Sequence, residues 1–210
     1  MLMSEILLAD ADSNSQQHYT QLLADLDINI SAHCSKGEEV IDQLKQATPD
    51  LILLSLGLEG LDALETARHL NLNYPRVPVL LQTTHGGGPF PKKLMDLGAR
   101  GFVSRDTSDD ELLKAIHALL AGDKYISCEI AQTIALSLLP GGEPSPLDRL
   151  SGREMQIIMQ LSHGDTPQQI STRLALSPKT ISTYKHRVRE KLNLKDTQEM
   201  CVLTSEHGLV

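Results

Sequence analysis

The sequence is poor in aromatic residues and in cysteine. Trp is absent and aromatic residues make up only 3% of the chain, whereas hydrophobic residues make up 40%, so the core must be built from aliphatic side chains. The three cysteines, Cys34, Cys128 and Cys201, are odd in number and far apart. This pattern excludes a disulfide framework and a zinc knuckle, and it predicts reduced thiols in a cytoplasmic protein.

Long hydrophobic runs are also missing. The runs that do occur, such as Leu51–Leu54, are far too short to cross a bilayer, and the N-terminus has no basic stretch followed by a long apolar one. The eight His residues show no HExxH or other paired-ligand spacing. We therefore expect no membrane segment, no metal site, no cofactor and no enzymatic activity.

Charge is distributed unevenly along the chain, whose formal net charge is −8. Residues 148–210 contain nine Lys and Arg against seven Asp and Glu, which gives +2, whereas residues 1–147 carry −10. An acidic first part and a mildly basic second part indicate two domains with different partners.

Short apolar runs alternate with longer amphipathic segments in the first part. Strands are predicted at Ile6–Ala9, Ile28–Ala32, Leu51–Leu54, Val77–Leu81 and Gly101–Ser104, and helices near 14–26, 36–47, 62–72, 90–98 and 109–121. Ser35 with Glu38 and Ser108 with Glu111 are predicted capping boxes at helix starts. Strands that alternate with helices of this length predict βαβ units and a parallel sheet.

An extra helix is predicted at 127–139, and three Pro and two Gly within 140–146 predict a linker between the two parts. After the linker the pattern is purely helical. Four helix starts follow, at Ser151 with Glu154, Thr166 with Gln169, Ser177 with Pro178, and Asp196 with Glu199. A short turn at Leu174–Leu176 joins the second and third of these helices, as in a helix-turn-helix unit.

The helix predicted from Pro178 to Leu192 has two chemically different faces. An apolar stripe is formed by Ile181, Val188 and Leu192, with Tyr184 beside it; the opposite face carries Lys179, Ser182, Thr183, His186, Arg187 and Glu190. Short hydroxyl side chains let a helix approach base edges in a major groove, and cations neutralise phosphates. The alternative is an ordinary solvated basic face made of Lys185, Arg187, Arg189 and Lys191. The position after a capped helix and a tight turn favours the groove.

Several motifs of this region occur together in one known family. They are Leu150–Glu154, Gly164, Ile170–Leu174, Leu176–Ile181 and Lys191–Leu194, and they resemble the output domain of LuxR/FixJ (NarL) response regulators, nearest to the GacA/UvrY-like branch. The resemblance implies base contacts by Ser182, Thr183 and His186. It implies phosphate contacts by Lys179, Thr180, Tyr184, Lys185 and Arg187. It also implies a dimer face that includes Met200, Cys201 and Leu203, with Val202 expected to pack in the core.

The first part resembles a response-regulator receiver over residues 4–122, on motifs at 49–54, 60–62, 96–99, 101–106 and 119–126. The resemblance implies an α/β flavodoxin-like domain with a five-stranded parallel sheet, followed by an all-α four-helix helix-turn-helix domain. The predicted segments are a receiver-like domain at 1–122, a linker helix and Pro/Gly-rich linker at 123–147, and a DNA-binding domain at 148–210.

The receiver reaction needs side chains that this sequence largely lacks. A receiver accepts phosphoryl on an Asp after the third strand, binds Mg²⁺ with two acids after the first strand, and pairs a Lys after the fifth strand with the phosphoryl group. By motif position these places hold Ser55, Asp10 followed by Ala11, and Arg105; Thr83 keeps the sensing position. Asp12 is displaced by one residue and is the candidate to replace the missing acid in part. We predict a degenerate, phosphorylation-independent receiver.

The resulting hypothesis is a sequence-specific transcription regulator that binds double-stranded DNA as a homodimer, on a roughly palindromic promoter element, with RNA polymerase as a further candidate partner. Two alternatives concern the receiver: it binds a small molecule or protein partner that controls DNA binding, or it is still phosphorylated in a phosphorelay. The run His85–Pro91 is interpreted as a flexible loop rather than a phosphate cradle, because it lacks the Lys-Ser/Thr of a P-loop.

Overall fold

A computed structural model gives the fold of the chain and describes residues 3–24, 26, 28–56, 58, 63–83, 98–137, 146–162, 164–174 and 176–206. Strands and helices are numbered over these residues. The first part contains β1 (Ser4–Ala9), α1 (Ser13–Ala24), β2 (Ile28–Cys34), α2 (Gly37–Leu44), β3 (Leu51–Ser55), α3 (Ala63–Asn73), β4 (Val79–Thr83), β5 (Gly101–Ser104), α4 (Asp109–Leu120), β6 (Tyr125–Ile126) and α5 (Cys128–Ser137).

The strands form one sheet in the order β2-β1-β3-β4-β5-β6, and every neighbouring pair is parallel. All five residues of β3 and of β4 are buried, as expected for central strands covered on both faces. One face packs against α1 and α4 through Tyr19, Leu23 and Ile116. The other packs against α2 and α3 through Val40, Leu44 and Leu70. Because neighbouring strands are parallel, the carboxyl ends of β1, β3, β4 and β5 lie at one edge of the sheet.

Two details of the predicted first part need correction. The count of five strands was too low, because Tyr125–Ile126 forms a sixth strand: the backbone N–H of Tyr125 bonds the Arg100 carbonyl and that of Ser127 bonds the Phe102 carbonyl. A two-residue strand is too short to leave a periodic signal. The predicted capping box of Ser35 with Glu38 is shifted, since the Glu39 carboxylate accepts the N–H groups of Ser35 and Lys36.

The second part is helical, as predicted. A 3₁₀ turn at Pro146–Arg149 precedes α6 (Gly152–Ser162), α7 (Pro167–Leu174), α8 (Pro178–Leu192) and α9 (Thr197–Glu206). Their core consists of aliphatic side chains, among them Ile158, Ile170, Ile181, Val188 and Met200, each fully buried. The predicted helix at 90–98, the loop at 85–91, the linker at 140–146 and the motif at 60–62 lie almost entirely outside the described residues.

Among the described residues, no helix has the length and hydropathy needed to cross a membrane.

Candidate functional sites

An arginine and two aspartates meet at the carboxyl edge of the sheet. Arg105 follows β5, and its backbone N–H bonds the Thr83 carbonyl at the end of β4. Its Nη2 atom lies 3.0 Å from Asp10 Oδ2 and 3.3 Å from Asp12 Oδ2, and it also donates to Ser15 Oγ at 2.7 Å. The side chain of Asp10 is only 5% exposed, so its charge is compensated by the guanidinium rather than by water.

The two carboxylates have different roles. Asp12 caps α1: Oδ1 accepts the N–H of Asn14, and Oδ2 accepts the N–H and hydroxyl of Ser15. These hydrogen bonds, led by the Ser15 hydroxyl, lower the pKa of Asp12. Burial raises the pKa of Asp10, against the opposing effects of the Asp12 N–H and of Arg105. Asp12 therefore acts mainly as the cap at the start of α1. In the sequence this cap is indicated only by Ser15, three residues after Asp12.

Ser55 and Thr83 end the neighbouring strands β3 and β4 and are 2% and 6% exposed. The Thr83 hydroxyl donates a hydrogen bond of 3.4 Å to the Val103 carbonyl oxygen. A polar pair that the sequence analysis missed lies one residue earlier: Gln82 Nε2 donates to the hydroxyl of Tyr19 inside the core. Burial raises the pKa of this phenol, so Tyr19 is present as the neutral species at neutral pH.

The side chains at this edge do not suit the Mg²⁺ that a receiver uses. Mg²⁺ requires oxygen ligands in near-octahedral geometry, usually from two carboxylates with water and phosphate. Here the residue after Asp10 is Ala11, and both Asp10 and Asp12 already accept hydrogen bonds from Arg105. Among the described residues no three His, Cys, Asp or Glu side chains converge on a point that could hold a metal ion.

The sequence of α8 fixes both of its ends. The Ser177 hydroxyl accepts the Thr180 N–H, Pro178 occupies the first turn, and Asn193 ends the helix with a left-handed φ of 55°. Ile181 and Val188 are fully buried, so the predicted apolar stripe faces the core. The helix is therefore held with its polar face outward.

Five of the eight predicted DNA contacts lie on this outward face, and the other three lie at its margin. Lys179, Ser182, Thr183, His186 and Arg187 are exposed, whereas Thr180, Tyr184 and Lys185 are partly buried. The hydroxyls of Ser182 and Thr183 donate to the carbonyls of Pro178 and Lys179. The guanidinium of Arg187 lies 5.8 Å from the Tyr184 ring centre, within cation–π range. His186 Nε2 lies 3.4 Å from Glu190 Oε1 on the next turn.

Two cations of the alternative basic face have partners within the protein. Arg189 donates to the carbonyls of Leu194 and Lys195, which follow α8. Lys191 Nζ lies 2.6 Å from Oε2 of Glu154, whose side chain is 4% exposed. Arg189 and Lys191 therefore have partners within the protein, and the other Lys and Arg residues of α8 are Lys179, Lys185 and Arg187.

The predicted dimer face on α9 needs correction. Met200 is fully buried within its own chain, so it cannot present a contact surface to a second copy. Val202, expected in the core, is 53% exposed, while Cys201 and Leu203 are partly buried. The prediction failed because Met and Val are equally apolar, and helical phase against α6 decides which one turns inward.

Comparison with known proteins agrees with both parts of this architecture. Residues 6–117, slightly more than half of the chain, match the family described as response regulator receiver domain, and residues 148–204 match bacterial regulatory proteins of the luxR family. The chain is 34% identical to the response regulator GacA of Pseudomonas aeruginosa over 99% of its length and 98% of GacA. It is 32% identical to the response regulator UvrY of Escherichia coli, over 99% of its length and 96% of UvrY.

Solved structures with the same fold include RcsB of Salmonella typhimurium, with a TM-score of 0.80, 18% identity, and coverage of 99% of this chain and 100% of RcsB. A second RcsB structure, described as bound to a promoter, has a TM-score of 0.77 and 19% identity over 97% of this chain and 99% of RcsB. At this identity the likeness concerns the fold. Both parts of the chain match family models, and its relatives above 30% identity are regulators rather than enzymes. The chain therefore belongs to the response regulator family. It consists of a receiver domain followed by a luxR-family domain homologous to that of GacA and UvrY.

Proposed function

We propose that this chain is a cytoplasmic, DNA-binding transcription regulator whose receiver works without phosphorylation. The single observation that carries the second half of the proposal is the contact of Arg105 with Asp10. The guanidinium supplies, as a permanent part of the fold, a positive charge at the edge where an ordinary receiver brings a metal ion and a phosphoryl group together.

The remaining chemistry at this edge supports the same conclusion. A Ser hydroxyl needs a general base to become a nucleophile, whereas an Asp carboxylate is ionised at neutral pH. Ser55, at the acceptor position, is 2% exposed, so its hydroxyl has little access to water. Replacing Lys by Arg also changes reach and geometry, because the planar guanidinium here bonds Asp10, Asp12 and Ser15 through one nitrogen atom.

DNA binding is proposed for the outward face of α8. Exposed Ser182, Thr183 and His186 are the base-contacting candidates, and Lys179, Thr180, Tyr184, Lys185 and Arg187 are the phosphate-contacting candidates. The structures of RcsB with DNA, including one described as two RcsB dimers on two DNAs, support a homodimer on double-stranded DNA. The proposed dimer contact is the exposed side of α9 around Val202, with Cys201 and Leu203 beside it.

The test of phosphorylation independence is incubation of the full chain with acetyl phosphate and Mg²⁺, followed by intact-mass measurement and a DNA-binding titration. We expect no phosphoryl mass gain and an unchanged Kd. A receiver that retains the acceptor Asp, treated in parallel, confirms that the donor is active. A mass gain that maps to the receiver would overturn this half of the proposal.

The test of DNA binding starts from genomic fragments captured by the purified chain, which supply a duplex for fluorescence anisotropy. We expect a saturable specific complex that is at least about a thousandfold tighter than the complex with random duplex at physiological salt. Absence of binding to any duplex at low ionic strength would contradict the regulator assignment itself. This outcome is independent of the phosphorylation result.

A further inference from the structure

The first turn of α6 contacts both helices of the helix-turn-helix unit. Arg153 Nη2 donates a hydrogen bond of 3.0 Å to the carbonyl of Leu174, which is the last residue of α7. The next residue, Glu154, accepts a hydrogen bond from Lys191 Nζ, in the last turn of α8, at 2.6 Å. Two consecutive side chains of α6 therefore hold the ends of α7 and α8.

Glu154 is suited to a fixed position rather than to a surface role. Its carboxylate also accepts the Ser151 N–H at 2.7 Å, while the Ser151 hydroxyl accepts the Glu154 N–H at 3.3 Å. This reciprocal capping locks the side chain onto the helix start. Burial alone would raise its pKa, but the hydrogen bonds from Lys191 and Ser151 outweigh burial and lower it, so the carboxylate is ionised at neutral pH.

The contact restrains rotation of α8 in addition to the apolar packing. Ile181 and Val188 hold α8 against the core by contacts that have no direction of their own, whereas the ion pair joins Lys191 Nζ to one carboxylate oxygen of Glu154. A rotation of about 20° moves an atom roughly 6 Å from the helix axis by about 2 Å, which is enough to break a hydrogen bond to a base. Such a rotation would also move Lys191 away from the buried, capped Glu154 carboxylate, so the ion pair opposes it.

We propose that Glu154 and Lys191 are positioning residues for DNA sequence discrimination: their ion pair fixes the rotation of α8 so that Ser182, Thr183 and His186 align with base edges. The inference rests on the proposed function of α8. It assigns to Lys191 a role distinct from a phosphate contact, since its ammonium group points to Glu154.

The double variant Glu154→Met/Lys191→Met tests this role. It leaves the net charge unchanged, so we expect an unchanged Kd for random duplex. Glu154→Met also removes the acceptor of the Ser151 N–H, and the Lys191 side chain is 41% exposed, so we expect a folded protein with a melting temperature somewhat below that of the wild type. The ratio of specific to random affinity is expected to fall about tenfold. Lys191→Arg, which keeps the charge, is expected to retain the ratio.

Asp42→Met/Lys45→Met is the matched control, because it makes the same exchange at an exposed ion pair at the C-terminal end of α2. It should leave the ratio unchanged. A folded Glu154→Met/Lys191→Met protein that discriminates like the wild type would overturn the inference. Should that variant fail to fold, Glu154→Gln replaces it in the test. A lowered ratio of specific to random affinity would support the inference, and an unchanged ratio would overturn it. Failure of the wild type to bind the captured duplex would instead refute the proposed function.

Discussion

Arg105 Nη2 lies 3.0 Å from Oδ2 of Asp10, so that the residue after β5 is joined to the residue after β1 across the carboxyl edge of the sheet. The same nitrogen reaches Asp12 and Ser15 at the start of α1. One cation therefore joins the segment after β5 to residues 10–15, which connect β1 to α1. In this protein the edge is held by an internal ion pair, and stability and charge compensation there depend on Arg105.

Arg105→Ala is expected to lower the free energy of unfolding at neutral pH by about 2 kcal/mol. The reason is that the buried carboxylate of Asp10 loses its cation, and the acceptor oxygens of Asp10, Asp12 and Ser15 lose Arg105 as their donor. Burial already raises the pKa of Asp10 above 3.8, and removal of Arg105 raises it further. Urea unfolding followed by circular dichroism measures the loss.

The pH dependence of this loss has a definite sign. A group with a raised folded pKa binds its proton more tightly in the folded state, so its ionisation costs stability as pH rises through that pKa. The deficit in the free energy of unfolding of Arg105→Ala, relative to the wild type, should therefore be larger at about pH 7 than at about pH 5. Asp10→Asn/Arg105→Ala, without the buried charge, should recover part of the stability. An equal deficit at both pH values would contradict the assigned ion pair.

The sequence predicts this site only in part. The parallel sheet follows from alternating strands and helices, and that topology places Asp10, Ser55, Thr83 and Arg105 at one edge. Which atoms then pair is a matter of side-chain reach. The spacing of Asp12 and Ser15 indicates a helix cap, but no pattern indicates that Arg105 extends to both carboxylates, or that Tyr19 meets Gln82 in the core.

Lys179→Ala is expected to weaken binding to all duplexes and to lower the slope of log K against log salt by about 1. Lys179 is exposed in the first turn of α8, beside the residues proposed to contact bases in the DNA groove, and its ammonium group can neutralise one phosphate. Titrations of specific and random duplex at several salt concentrations measure both effects. Lys114→Ala, an exposed cation on α4, is the control and should change neither. A selective loss on the specific duplex would place Lys179 at a base instead.

His186→Ala is expected to change sequence preference more than overall affinity. His186 is exposed in the middle of the polar face, one turn from Thr183, where a side chain reaches base edges. A single specific contact contributes about 1–3 kcal/mol to discrimination. Competition among duplexes with single base changes reports the preference. His117→Ala, at an exposed position of α4, serves as control; equal losses on specific and random DNA would defeat the assignment of His186.

Val202→Glu is expected to weaken self-association without changing thermal stability. Val202 is 53% exposed on α9, so the charge costs little in the monomer but would be buried at the proposed dimer contact. Sedimentation velocity across a concentration series measures the shift. Leu72→Glu makes the same kind of exchange at a 70% exposed residue on α3 and should have no effect. If Val202→Glu sediments like the wild type at every concentration, α9 is not the contact.

Gln160→Met is expected to stabilise the helical domain by about 1–2 kcal/mol. Gln160 lies in α6 and is 3% exposed, and both of its amide atoms are buried without a hydrogen-bond partner among the described residues. A buried amide that lacks partners costs free energy, because water satisfied it in the unfolded chain, whereas Met fills a similar volume with no such demand. Chemical denaturation of both proteins gives the difference. Gln168→Met, at an exposed position of α7, should leave stability within about 0.5 kcal/mol; a loss of stability in Gln160→Met would mean that the amide has a partner in solution.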